Sequence, residues 1–163
     1  MALFAPRQFF LLTFLSVIGL MGYGLYSQYV LHLEPCPLCM TQRIFYCLTG
    51  AFALLAFLHN PAQTGRRLYS IAMILSASLG AAAAGRQVWL QHLPPDQVPA
   101  CGPSLEYMLQ TFPFSEVLTT MIRGDGNCAE VQWQFIGLSM GEWSLVCFTL
   151  LIIAGLWQCL RKA

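Results

Sequence analysis

Charged residues are scarce in this chain of 163 residues, since only 9% are Asp, Glu, Lys or Arg. A soluble domain carries about 25% of these residues, so the composition excludes an ordinary soluble globular domain. Hydrophobic residues make up 57% of the chain, which indicates a membrane protein. The net charge of +1 provides no basic field, and we therefore expect no nucleic acid partner.

Four stretches contain no charged residue and are mostly apolar, and each is long enough to cross a bilayer as a helix of about 20 residues. They span residues 8–33, 44–65, 68–85 and 143–160. The first follows Arg7 as the apolar run of a signal peptide would, but it exceeds the usual length of about 7–15 residues, and we expect a membrane span. We predict an all-α four-helix membrane bundle forming one domain over residues 1–163. Its transmembrane helices are expected over about 9–30, 39–58, 68–90 and 143–160.

Basic residues predict the orientation of these helices, because Lys and Arg concentrate on the cytoplasmic side. They flank both chain ends and the second connection, at Arg7, Arg66, Arg67, Arg161 and Lys162. An even number of spans therefore places both termini in the cytoplasm and leaves two loops outside, of which the longer covers about 91–142. All seven acidic residues lie on the outer side, in agreement with this orientation.

The long outer loop is interrupted by proline and glycine, and it contains two short segments with apolar residues on one helical face. These are residues 105–112 and 117–122. Such helices either lie on the membrane surface or pack on each other. We favour the membrane surface, because the loop is too short to form a core.

The seven cysteines fall into two groups once this topology is drawn. Four lie outside, at Cys36, Cys39, Cys101 and Cys128. An even set of cysteines outside the cytoplasm indicates disulfides, and the natural pairs are Cys36 with Cys39 and Cys101 with Cys128. The other three, Cys47, Cys147 and Cys159, are expected to be buried small apolar side chains.

The pair Cys36 and Cys39 is predicted to be a redox centre at the start of the second helix. Pro37 suits the first helical position, so Cys36 falls at the cap and Cys39 in the first turn. Free backbone N–H groups and the helix dipole favour a thiolate there. Arg43 lies four residues further along the same face and adds a positive charge.

Two structural roles for the outer cysteines are alternatives. A disulfide between Cys101 and Cys128 could contribute about 2–4 kcal/mol of constraint to the loop, whereas a bridge from Cys36 to Cys39 constrains little. Four cysteines could also bind zinc, but only one Cys-x-x-Cys pair is present and the other pair is widely separated. We therefore expect no metal.

The motifs that carry this chemistry resemble those of the bacterial disulfide bond formation protein B family. They are Pro35-Cys36-Pro37-Leu38-Cys39 with Gln42-Arg43, Pro99-Ala100-Cys101, and Gly126-Asn127-Cys128-Ala129-Glu130 with Trp133, Phe135, Gly137-Leu138, Met140 and Trp143. The resemblance covers nearly the whole chain, including the number of spans and the order of the cysteines. It implies a multi-pass protein of the bacterial inner membrane, with its reactive cysteines on the periplasmic side.

The resemblance also implies an activity, namely quinone-dependent oxidation of a thioredoxin-like periplasmic protein of the disulfide bond formation protein A type. This partner would form a mixed disulfide with Cys101, and the released Cys128 would exchange with Cys36. Cys39 would then face a membrane quinone, either ubiquinone or menaquinone, with Arg43 stabilising the developing negative charge.

Two further residues are weaker candidates for the quinone site. Arg86 lies near the outer end of the third helix, where it could assist or could simply reach the interface. His92 follows in the outer loop, where a histidine is usually only solvated. The alternative to an enzyme is a non-enzymatic four-span scaffold with structural loop disulfides, and a third interpretation runs electrons from quinol to disulfide.

Overall fold

Six α-helices and one small β-hairpin form the structure, a computed structural model that describes residues 5–103 and 105–161. The long helices are α1 (Pro6–Tyr29), α2 (Pro37–His59), α3 (Gln63–Gln91) and α6 (Met140–Leu160). The outer loop contains α4 (Leu105–Thr111), α5 (Phe114–Arg123), a 3₁₀ turn (Gly126–Cys128), β1 (Gln134–Phe135) and β2 (Leu138–Ser139). The four long helices are apolar and long enough to cross a membrane, which confirms the predicted fold class.

The long helices begin earlier than the apolar stretches predicted. Both α1 and α2 start with a proline at the first helical position, where the missing N–H costs nothing. Helix α3 begins at Gln63, so Arg66 and Arg67 lie within its first turns and not in the connection before it. Hydropathy marks the apolar part of a helix, whereas polar residues extend it beyond the bilayer. Lys162, one of the predicted basic flanks, lies outside the described residues.

The helices pack in the order α1, α2, α3, α6, and the closest packing joins α3 to α6. The ring of Phe148, which is fully buried, packs directly against Gly80 of α3. This contact leaves no room for a Cβ atom at position 80. The same ring stacks on Tyr46 of α2 with the centroids 3.9 Å apart. Among the described residues, α1 and α6 make few close backbone approaches.

The two short helices of the outer loop are present where the sequence predicted them. Helix α5 packs on the outer end of α2, since Val117 is buried and the Thr41 hydroxyl donates to the carbonyl of Met121 at 2.7 Å. The adjoining face exposes Phe114, Leu118 and Ile122. The location of this face on a membrane surface stays a prediction.

The prediction for the three remaining cysteines was wrong. Cys47 is exposed on the outer surface of the bundle, and Cys147 and Cys159 are half-buried. A face that contacts lipid has the same apolar composition as a face that contacts another helix. The sequence pattern therefore shows that these cysteines lie in spans but does not show which way they point.

The contact between Gly80 and Phe148 can be tested by replacing the glycine. We expect Gly80→Ala to destabilise the protein by about 1–3 kcal/mol, because the added methyl group must displace a buried ring. Gly85→Ala on the same helix is the control, since a Cβ atom there meets nothing within 4 Å. Thermal unfolding in detergent measures both variants, and equal melting temperatures would contradict the packing described here.

Candidate functional site

The second helix begins at the cysteine pair as predicted. Pro37 is the first helical residue, and Cys36 is the cap whose sulfur accepts a hydrogen bond from the N–H of Cys39 at 3.3 Å. Pro35 and Pro37 flank the cap residue in the sequence. The start of the helix therefore fixes the position of Cys36. The Cys36 side chain is buried, so the reactivity of its thiol depends on the residues packed against it.

The sulfur of Cys36 contacts two other cysteines. It lies 2.9 Å from the sulfur of Cys39, and it also hydrogen-bonds to Cys128, which is fully buried. Leu38 and Leu90 pack against this cluster. The predicted pairing of Cys36 with Cys39 stays a prediction, because the structure has all described cysteines as free thiols. It shows that Cys36 has a second neighbour in the long loop.

Hydrogen bonds within the cluster shift the pKa values of Cys36 and Cys128 in opposite directions. Hydrogen bonding to Cys128, then to Cys39, together with burial, raises the pKa of Cys36 well above its ordinary value. The same bond from Cys36 lowers the pKa of Cys128 and outweighs the effect of burial there. Cys128 is therefore favoured as the thiolate and Cys36 as the protonated partner. A nucleophilic sulfur at Cys128 lies against Cys36.

Cys101 differs from the other three outer cysteines because it is exposed. Its segment lies against the 3₁₀ turn, where the N–H of Gly126 donates to the carbonyl of Ala100 at 3.2 Å. A Cβ atom on Gly126 would lie 3.0 Å from the Cys101 sulfur. The structure therefore places an accessible thiol beside the turn that carries the buried Cys128.

Two buried glutamines support Cys39, and sequence reasoning missed their role. The side-chain nitrogen of Gln87 donates to the Cys39 sulfur at 3.4 Å. Its oxygen accepts from the side-chain nitrogen of Gln42 at 2.7 Å, which fixes the amide orientation. Gly141 lies directly against the Gln87 amide. Two uncharged polar residues within predicted spans were the available signal, because a buried amide requires partners.

Arg43 lies beside Cys39 on the predicted helical face and reaches towards α1. Its guanidinium donates to the Gln28 side chain and, at 2.8 Å, to the carbonyl of Gly24. These bonds hold a positive charge at a fixed place in the bundle.

The structure places the two weaker candidates elsewhere. Arg86 donates to the carbonyl of Arg123 at 3.2 Å and lies over the Trp89 ring at 4.2 Å. The His92 ring lies 2.8 Å from the carbonyl of Val88. Neither side chain lines the cavity that contains Cys39 and Arg43, and their roles at a quinone site stay predictions.

A cavity of about 450 Å³ lies where α1 and α6 separate at the outer half of the bundle. Its lining includes Cys36, Cys39, Arg43 and Tyr46 from the start of α2 and Trp143 from α6. Most of the lining surface is apolar, and its polar residues include glutamines 42, 87 and 91 together with Glu34 and Glu130. A flat molecule with a few polar atoms and an apolar tail would match this lining.

Aromatic side chains cover the outer end of this cavity. The hairpin pairs Gln134 with Ser139 and carries Phe135, whose ring stacks on Trp133 at 6.0 Å. Trp133 meets Tyr23 of α1 at 5.8 Å. On the other side, the indole nitrogen of Trp143 donates to the Phe135 carbonyl at 3.0 Å. The hairpin and Trp133 thus bridge α1 and α6 at this end of the cavity.

The described residues contain no group of three or more His, Cys, Asp or Glu side chains arranged to hold a metal ion. The sulfur atoms are instead arranged for exchange with one another. Cys101 is accessible, Cys128 and Cys36 are buried in contact, and Cys39 borders the cavity.

Comparisons with known proteins agree with this arrangement. Residues 6–158 match the family model described as disulfide bond formation protein DsbB. Disulfide bond formation protein B of Hahella chejuensis is 58% identical over 142 residues, covering 87% of this chain and 86% of the relative. Disulfide bond formation protein B 1 of Pseudomonas aeruginosa is 47% identical over 163 residues, covering 100% of both chains.

The role of Gln87 can be tested by replacing it with leucine. Loss of the bond to the Cys39 sulfur removes stabilisation from the reduced pair, so we expect Gln87→Leu to shift the equilibrium between Cys36 and Cys39 towards their disulfide by about tenfold. Equilibration with glutathione, in a chain carrying Cys101→Ser and Cys128→Ser, measures this shift.

Gln91→Leu is the matched control for this experiment. Gln91 lies one helical turn further along α3 and accepts a hydrogen bond from Ser139 at 2.8 Å, not from a cysteine. We expect its equilibrium with glutathione to stay at the parent value. A Gln87→Leu equilibrium that matches the control would exclude Gln87 from the redox chemistry.

Proposed function

Because the chain belongs to the disulfide bond formation protein DsbB family, we propose that it reoxidises a thioredoxin-like dithiol protein and passes the electrons to a membrane quinone. Membership of the family makes the chain a disulfide bond formation protein with a thiol oxidoreductase role. The partner is of the disulfide bond formation protein A type, and ubiquinone and menaquinone are the two acceptors to be compared.

The observation that carries the proposal is the order of the four outer cysteines. Cys101 is exposed, where a protein partner can reach it. Cys128 is buried against Cys36, and Cys36 lies 2.9 Å from Cys39 at the cavity wall. Electrons can therefore move by successive disulfide exchange from an aqueous surface to an apolar cavity, without a large movement of α2.

Four successive exchange steps carry an electron pair from the partner to Cys36 and Cys39. A partner thiolate attacks Cys101 of a Cys101–Cys128 disulfide, forms a mixed disulfide and releases the Cys128 thiolate. Cys128 then attacks Cys36 of a Cys36–Cys39 disulfide, forms a Cys36–Cys128 disulfide and releases the Cys39 thiolate. The second partner thiol displaces Cys101 and leaves the partner oxidised. Cys101 attacks Cys128, which restores the first disulfide and frees the Cys36 thiol.

The residues of the cavity fit a quinone as the terminal acceptor. A quinone would supply the chemistry of accepting two electrons and two protons from the Cys36 and Cys39 thiols. Arg43 would hold its polar ring near Cys39 with a fixed positive charge. Tyr46 and Trp143 would contact the ring or its apolar tail. The separation of α1 from α6 provides lateral access from the bilayer.

The charge distribution supports a location in the bacterial inner membrane with both termini in the cytoplasm. Arg7, Arg66, Arg67 and Arg161 all lie at the end of the bundle opposite the four outer cysteines. The reactive cysteines and the hairpin are then periplasmic, where disulfides persist.

We expect purified protein in detergent to reduce ubiquinone or menaquinone when a reduced thioredoxin-like periplasmic dithiol is added. Absorbance of the quinone follows the reaction. Cys39→Ser should abolish turnover, because it removes the sulfur that borders the cavity. Cys159→Ser is the control, since Cys159 lies at the end of α6 that is far from the cavity.

Two outcomes would overturn the proposal. Absence of turnover with both quinones, together with outer cysteines that do not react with thiol reagents after mild reduction, would indicate a scaffold with structural disulfides. Steady-state turnover by Cys39→Ser protein would exclude Cys39 as the thiol next to the acceptor.

The same assay tests which arginine contacts the acceptor. We expect Arg43→Ala to raise the KM for quinone by about tenfold, which corresponds to about 1.4 kcal/mol. The comparison is Arg86→Ala, for which the structure leads us to expect an unchanged KM because the Arg86 guanidinium lies over Trp89. Equal effects of the two substitutions would contradict the assignment of Arg43.

A further inference from the structure

Arg43 and Tyr46 both line the cavity from α2, but their polar groups reach different helices. The Arg43 guanidinium donates to the carbonyl of Gly24 in α1 at 2.8 Å. The Tyr46 hydroxyl donates to the carbonyl of Ser144 in α6 at 3.2 Å. Because Tyr46 lies about one helical turn beyond Arg43, the cavity has a cationic group towards α1 and a hydroxyl group towards α6.

The hydroxyl of Ser144 is bonded differently from other hydroxyls of the long helices. Ser27, Ser70 and Thr149 each donate to the carbonyl four residues earlier, which occupies the hydroxyl hydrogen. The Ser144 hydroxyl instead lies 3.1 Å from the Tyr46 hydroxyl. Since Tyr46 can donate to the Ser144 carbonyl, the Ser144 hydrogen is available to the Tyr46 oxygen or to a ligand in the cavity.

Packing holds the Tyr46 ring in one position. The ring stacks on Phe148, with the centroids 3.9 Å apart and the planes 10° from parallel. Phe148 is itself fully buried against Gly80. The hydroxyl of a ring held in this way is already in place before a ligand binds, so little side-chain entropy is lost on binding.

A para-quinone carries two carbonyl oxygens at opposite ends of its ring, and each oxygen accepts hydrogen bonds. In the proposed function Arg43 serves the oxygen that lies near Cys39. The second oxygen loses its hydrogen bonds to water in a largely apolar cavity, and leaving it without a donor would weaken binding. A quinone therefore requires a second donor in the cavity, away from Arg43.

We propose that the hydroxyl pair of Tyr46 and Ser144 binds the second carbonyl oxygen of the quinone and selects acceptors that carry two oxygens across the ring. This inference rests on the proposed function, which supplies the quinone. A ring held at one oxygen can pivot about that contact, whereas a ring held at both oxygens has a single orientation in the cavity. The hydroxyl pair binds and orients the ring, and neither hydroxyl gains or loses electrons.

Binding can be measured without any redox reaction. The experiment uses the full chain carrying Cys36→Ser and Cys39→Ser, and isothermal titration calorimetry in detergent gives the dissociation constant of each ligand. One ligand is a dimethyl-substituted para-naphthoquinone, whose quinone ring has no position free for addition of a thiol. The other is tetralone, which has one carbonyl group on the same two-ring skeleton.

We expect Tyr46→Phe to weaken naphthoquinone binding by about fivefold, because one hydrogen bond is lost. The substitution keeps the ring that stacks on Phe148, so the packing of the helices is preserved. Tetralone binding should stay unchanged, because the charge of Arg43 holds its single oxygen. Ser144→Ala should weaken naphthoquinone binding in the same way and should also leave tetralone binding unchanged.

Tyr69→Phe is the matched control for Tyr46→Phe. It removes a hydroxyl that lies 3.1 Å from a ring nitrogen of His59, and neither residue lines the cavity. We expect both dissociation constants of this variant to stay at the parent values.

Three outcomes would overturn the inference. Equal weakening of both ligands by Tyr46→Phe would indicate a change in cavity shape, and unchanged naphthoquinone binding would exclude the contact. A parent chain that binds neither ligand would exclude the site. Failure of the proposed function is a different result, because it would appear as absent quinone reduction by the chain with all its cysteines, whereas these titrations need no electron transfer.

Discussion

The contact of the Cys36 sulfur with both Cys39 and Cys128 is the interaction on which the site depends. It joins the start of a membrane helix to a distant turn in the outer loop, and it is shielded by Leu38 and Leu90. Hydrogen bonding between the two thiols raises the pKa of Cys36 and lowers the pKa of Cys128. A sulfur between two others can form a bond with either one, which is the requirement for passing a disulfide along a chain.

The bundle provides this contact by packing unequally. Helices α3 and α6 approach closely because Gly80 accepts the Phe148 ring, whereas α1 and α6 make few close backbone approaches. The separation creates the cavity beside Cys39, and the hairpin covers it with Trp133 and Phe135. Close packing and open space are therefore produced by the same four helices. The loop elements add the cover and the second pair of cysteines.

Much of this architecture could be predicted from the sequence, because it follows from local rules. Uncharged stretches gave the four helices, and Pro37 gave the helix start with Cys36 as its cap. The amide pair of Gln42 and Gln87 could not be predicted, since it depends on the register between two helices. The direction of Cys47 was predicted wrongly, because lipid and protein select the same apolar residues.

The site in the outer loop shows the same division between local and long-range information. The sequence predicts that Cys101 and Cys128 pair, but it does not show that Asn127 and Asp125 connect their segments. Those bonds join residues far apart in the chain, and no periodicity or spacing encodes them. Prediction from sequence is strongest where a residue's neighbours are also its neighbours along the chain.

Under the proposed function, an acceptor that enters the cavity between α1 and α6 must be measured as an amount in the lipid or detergent phase. A molecule that enters from the side comes from the lipid or detergent phase, and its supply depends on its mole fraction there and not on its concentration in water. Adding empty detergent micelles would dilute such an acceptor at constant total amount. Apparent affinities measured at different detergent concentrations would then agree only after conversion to mole fractions.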